Sequence, residues 1–169
     1  MHRIFLGLAI TDGTMLVMTF ALGFFVPHQA GGRVHDIHFL LGLLTALMTL
    51  LVHSIAYTYF LGTGRWVKEV VRVYALPDWV WAQAQKNKRR VFPFVLVGML
   101  LIGLAAWLGG AADTRRDFES TWHLAAAAVA LAFNLGAFVV EYAAIVAQAR
   151  LILEVKDRAD RLREAQLAA

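Results

Sequence analysis

Residues 91–112, VFPFVLVGMLLIGLAAWLGGAA, run for 22 positions without a charged side chain. As an α-helix such a run rises about 33 Å, enough to cross the ~30 Å hydrocarbon core of a bilayer. Hydrocarbon offers no partner to backbone N–H and C=O groups, so a segment this apolar has to bond its own backbone, as a helix does. Three further stretches, 4–26, 34–61 and 121–149, are long and apolar enough for the same role. With 60% hydrophobic and 17% charged residues and a mean hydropathy of +0.61, the chain lies outside the soluble range. The expected fold is all-α: an integral membrane four-helix bundle, a single domain over residues 1–169.

The first stretch opens with His2 and Arg3, as a signal peptide does, but it carries Asp12 and lacks an A-x-A cleavage site, so it is expected to remain as a span. Cysteine is absent, which removes disulfides, thiolate metal sites and c-type haem attachment.

Lysine and arginine counts set the orientation, because basic residues are held on the cytoplasmic side. Arg65, Lys68, Arg72, Lys86, Lys88, Arg89 and Arg90 crowd the segment between the second and third spans, and Arg150, Lys156, Arg158, Arg161 and Arg163 follow the fourth. The other two loops hold only Arg33, Arg115 and Arg116. Both termini are therefore expected in the cytoplasm, with a bacterial inner membrane as the natural setting. The net charge of +4 reports this asymmetry and gives no ground for nucleic-acid binding.

In the basic segment, Trp66, Val67, Val70, Val71 and Tyr74 recur at helical spacing among charges, which suits a short interfacial cytoplasmic helix, with Trp79 and Trp81 as belt aromatics. "GTGR" at 62–65 lacks the Gly-Lys-Ser/Thr of a phosphate loop and is expected to cap a helix and turn. The tail from 145 to 166 is expected to leave the membrane as a long C-terminal helix, solvated or paired weakly with a partner.

Positions spaced alternately by three and four share a helix face. On the second span that face carries His38, Gly42, Thr45, Thr49, His53 and Ala56; on the fourth, His123, Ala127, Ala130, Asn134, Ala137, Glu141, Ala144 and Gln148. A weaker track on the first carries Asp12, Met15, Thr19 and Gly23, while the third, with Gly98 and Ala105, mainly packs. Small and polar residues line bundle interiors in membranes, so these faces are expected to look at one another. At ~1.5 Å per residue, His38 and His123 sit at matched depth near the outer boundary. His53 lies ~22 Å below His38, Glu141 ~27 Å below His123, and Asp12 ~21 Å below Val26. His28 and His35 belong to the outer rim and His2 to the opposite surface.

A haem iron takes axial ligands on both sides of a flat ring, so imidazoles on facing helices can hold it where small residues leave room. His38 and His123 meet that need, with Gly42 and Ala127 one turn inward; Arg33, Arg115 or Arg116 would pair with propionates. His38 and His53, with fourteen residues between them, resemble the helix spacing in four-helix cytochrome b subunits. There, histidines on two helices hold one haem near each membrane face. The resemblance implies b-type haem and electron transport. A second haem at His53 would need another histidine on that side, where only His2 stands, so one outer haem is expected.

The deep Asp12, His53 and Glu141 would then relay protons, contact a quinone headgroup, or serve only to fix helix register. A rival reading gives His28, His35, His38 and His123, with Asp36, Asp113 or Glu119, to Zn²⁺, Cu²⁺ or non-haem iron, and makes the deep trio a second metal site or a step on an ion path. In a third, the chain is an accessory subunit of a larger complex. Expected partners are the lipid bilayer, a quinone, a redox partner and a second copy of the chain.

Overall fold

The structure, a computed structural model, describes residues 1–26, 32–114 and 119–168. Four helices follow one another: α1 (His2–Gly23), α2 (Arg33–Val73), α3 (Asp78–Thr114) and α4 (Ser120–Leu167). All four are long and apolar enough to cross a membrane. Among the described residues α1 packs on α2 and α4, α3 packs on the same two, and α1 and α3 do not touch. They occupy one diagonal of the bundle, and the other is short enough for α2 to meet α4.

The burial pattern is that of a helix bundle turned toward lipid. Leu100, Trp107 and Val139 are 72%, 68% and 69% exposed, whereas Asp12, Thr49, His53, Asn134, Glu141 and Gln148 are wholly buried. In water that exchange would be prohibitive; in hydrocarbon the outward face costs nothing and the inward polar groups find partners. This fits an integral membrane protein.

Two local expectations are corrected. Residues 62–77 do not form a separate interfacial helix, because α2 continues through the two glycines of "GTGR" to Val73. Each mid-helix glycine costs about 1 kcal/mol, but stopping there would strand the face that follows. Val67 instead closes a second core with Leu76, Val80, Ala84, Leu151 and Val155, where the extended ends of α2, α3 and α4 pack together. Trp79 and Trp81 belong to this three-helix lobe, beneath the Arg158 guanidinium and the Lys68 ammonium respectively. The tail is likewise no free extension: α4 stays packed through Ala159, and only the residues beyond it are mainly exposed. At the loop end, α1 stops at Gly23, three residues short of the expected span, and residues 24–26 turn away.

The α2–α3 turn is a Schellman closure: Leu76 N–H donates to the Val71 carbonyl at 3.0 Å and Ala75 adopts φ 48°. A left-handed alanine costs about 1–2 kcal/mol, whereas glycine accepts that conformation at an unfolded-state penalty of about 0.5–1 kcal/mol. Ala75→Gly is therefore expected to raise stability by up to ~1 kcal/mol, read as a higher denaturation midpoint in detergent micelles.

Candidate functional site

Polar side chains converge at three levels of the bundle. At the loop end, the His38 ring of α2 and the His123 ring of α4 lie with centres 6.3 Å apart and planes at 71°. Each is seated on a glycine. A Cβ added at Gly23 would come within 3.2 Å of His38 Cε1, and one at Gly109 within 2.9 Å of His123 Cε1. His123 Nδ1 lies 3.1 Å from the Ala105 carbonyl of α3. A carbonyl can only accept, so Nδ1 carries the hydrogen and Nε2 keeps its lone pair. Backbone orientation of this kind is how proteins present imidazole to a metal. On the other ring, His38 Nδ1 is buried with no hydrogen-bond partner.

Around this pair, Gly42 approaches Thr19, and Arg33 is exposed at the start of α2. His35 does not join the pair: its Nε2 lies 2.6 Å from Asp113 and its Nδ1 3.4 Å from Asp36. His28, Arg115 and Arg116 fall outside the described residues. Among the described residues no three His, Asp or Glu side chains converge as a metal site would require.

The middle level is the most completely buried. His53 Nδ1 lies 2.7 Å from Glu141 Oε1, and His53 Nε2 lies 2.7 Å from Asn134 Oδ1. Asn134 Nδ2 donates to the Ala130 carbonyl at 2.7 Å. Turning that amide over would set two oxygens face to face at Ala130, so Asn134 Oδ1 must be the acceptor and His53 Nε2 the donor. One proton then remains to be shared between His53 Nδ1 and Glu141 Oε1, and either location preserves the bond. Both ring nitrogens of His53 are thus engaged within the cluster. Asp12 is buried on α1 at this depth but bonds instead to the Thr49 hydroxyl, at 3.1 Å. Asp12 Oδ2 and Glu141 Oε2 remain buried without partners. Gly98 makes room for this cluster, since a Cβ there would lie 2.5 Å from His53 Nε2.

The third level joins Gln148 to Asn87 at 3.0 Å and to Thr63 at 3.3 Å, below the membrane-length part of α1. Periodicity placed Asn134 and Gln148 on the inward face of α4 without giving either a role, and it did not single out Asn87 or Thr63. It named Gly98 only as a packing position and did not mark Gly109, although their eleven-residue spacing, three turns on one face of α3, was a usable signal. The glycines matter because the imidazoles of α2 and α4 fill the space above them, and only α3's placement reveals that.

A hollow of about 540 Å³ opens on the outer surface between α1 and α4, lined by Leu6, Gly13, Met18, Phe138 and Tyr142 among others. Phe138 also packs on the His53 ring, with centres 5.3 Å apart.

No family model, curated protein or solved structure matches this chain. The likeness to four-helix cytochromes b therefore rests on the histidines and the helix layout alone.

Proposed function

We propose that this chain is a membrane-bound b-type haem protein, with His38 and His123 as the axial ligands, passing electrons between a membrane quinone and a partner protein. The observation that carries the reading is the pairing of two imidazoles at one level of the bundle, with no third ligand beside them among the described residues. Two metal–nitrogen bonds of ~2 Å, plus half an imidazole at each end, put ring centres roughly 6 Å apart when two histidines hold one ion from opposite sides. The spacing here is 6.3 Å. A bare Zn²⁺ or Cu²⁺ site normally asks the protein for three or four ligands, whereas a porphyrin brings its own equatorial nitrogens and asks for two. The donor set thus favours haem over a non-haem ion.

When bound, haem supplies a one-electron couple. The chain's part is to orient and shelter: Ala105 fixes the His123 tautomer, Gly23 and Gly109 let backbone approach the rings, and Arg33 stands at the rim to meet propionate charge. The apolar hollow beside Phe138 suits a quinone's isoprenoid chain, with the polar middle level behind it. The excess of lysine and arginine in the lobe and tail supports a reading with both termini and the three-helix lobe on the cytoplasmic side, a bacterial inner membrane being the natural setting, and the basic lobe then offers a docking face to a partner.

The test is the absorption spectrum of the purified protein. Dithionite reduction is expected to give a Soret band with sharp α and β bands in the wild type and in His35→Ala. His38→Ala and His123→Ala are expected to lose or shift them. A wild type without those bands, or identical spectra in all four proteins, would sink the assignment.

A further inference from the structure

The middle level is bounded very differently above and below. On the chain-terminus side, every helix interposes buried apolar residues before the third polar level: Phe5 and Ala9 on α1, Ala56 and Phe60 on α2, Val91 and Val95 on α3, Ala144 and Ile145 on α4. From Glu141 to Gln148 this layer is ~10 Å thick along α4. On the histidine side the inward residues are small or hydroxylic, with Leu16 and Ile102 as the apolar members. Thr49 Oγ1 donates toward both the Thr45 carbonyl at 2.9 Å and Asp12 Oδ1 at 3.1 Å, and Thr45 Oγ1 lies 2.9 Å from Thr19 Oγ1. Thr19, Gly42, Ala127, His38 and His123 are only partly buried.

We propose that His53 and Glu141 form a proton-binding site that exchanges with one side only: by way of Asp12 and the threonines toward the His38–His123 end, and not through the apolar layer toward the lobe. The proton moves from Glu141 Oε1 to His53 Nδ1 or back, so the pair stays neutral overall while it is held, and leaves when Asp12 accepts it; Glu141 Oε2 and Asp12 Oδ2, both buried without partners, are the oxygens left to pass and take it. Thr49 suits the onward step from Asp12. Its single hydroxyl hydrogen serves a charged Asp12 as a donor, and when Asp12 is protonated the carboxyl can donate to Thr49 Oγ1 instead, while the hydroxyl donates to Thr45. Around the pair, Asp12 is the one ionisable group contributed by α1, and the membrane-length part of α3 contributes none, facing the pair with Gly98. This inference does not depend on haem, because every group in it belongs to the chain.

Two measurements on the wild type, Glu141→Gln and Phe60→Asn decide it. Infrared difference spectra between buffers of different pH, on protein in detergent, are expected to show a protonated-carboxyl band that is missing in Glu141→Gln. In vesicles, with a potassium gradient and valinomycin as the driving force and a trapped pH dye as the reporter, the wild type is expected to be no more proton-permeable than empty lipid. Phe60→Asn, which puts an amide into the apolar layer, is expected to make the vesicles leak. A carboxyl band unaltered by Glu141→Gln, wild-type vesicles that conduct protons, or Phe60→Asn vesicles as tight as wild type each overturn the proposal. Circular dichroism on each variant confirms that the helices are intact. Loss of the haem spectrum alone would leave these readouts unchanged, which separates the two proposals.

Discussion

Gly98→Ala is expected to unfold well before the parent protein, at a cost of roughly 2–5 kcal/mol. The added methyl would stand 2.5 Å from His53 Nε2 and 2.7 Å from Asn134 Oδ1, distances no carbon can occupy. Neither neighbour can retreat freely, since His53 is held at both ring nitrogens and Asn134 is tied to Ala130. Overpacking of a dense core costs about 1–3 kcal/mol, and each buried polar group left unpaired adds about 1–3 kcal/mol. Gly103→Ala is the control on the same helix. Nothing lies within 4 Å of its added Cβ, so it is expected to be neutral or to gain up to about 1 kcal/mol from helix propensity. Denaturant unfolding in micelles, followed by tryptophan fluorescence, compares the two; equal midpoints would mean that α3 does not press on the imidazole.

The second large effect is a reversal between single and double substitutions. His53→Leu strips Glu141 of its partner and leaves Asn134 Oδ1 without a donor, and it is expected to cost about 3–5 kcal/mol, the range for buried pairs that lose one member. Glu141→Leu leaves only His53 Nδ1 unpaired and is expected to cost less, about 1–3 kcal/mol. The double variant removes both polar groups together, and replacing a buried pair with apolar side chains is often nearly neutral. It is therefore expected to be more stable than His53→Leu alone, with a coupling of about 2 kcal/mol. Additive costs would show that the two side chains do not meet.

The inward faces of α2 and α4 were legible because a membrane helix has one reason to place Thr45, Thr49, His53, Asn134 and Glu141 on a single stripe: hydrocarbon offers these groups no partner. Their burial follows from that constraint. The ends of the spans were less legible. Hydropathy marks where a segment becomes polar, not where a helix stops, so Val67 read as interfacial and the tail with Leu151 and Val155 as solvated or loosely paired, yet they form a second core outside the membrane-length region. Asp12 shows an intermediate case, buried as expected yet bonded to Thr49 and not to His53 or Glu141.

What the sequence determined by itself is the class: four predominantly apolar runs of bilayer length, one of them free of charge and the others nearly so, admit helices and little else, and their polar residues must turn inward, because backbone and side-chain dipoles have no other place to be satisfied. What only the tertiary structure decided is which groups meet. The pairing of His38 with His123, the enclosure of His53 between Glu141 and Asn134, and the glycines beneath three imidazoles depend on the azimuth and stagger of four helices. Those follow from side-chain packing summed over the whole bundle, a quantity that no single helix carries in its own periodicity.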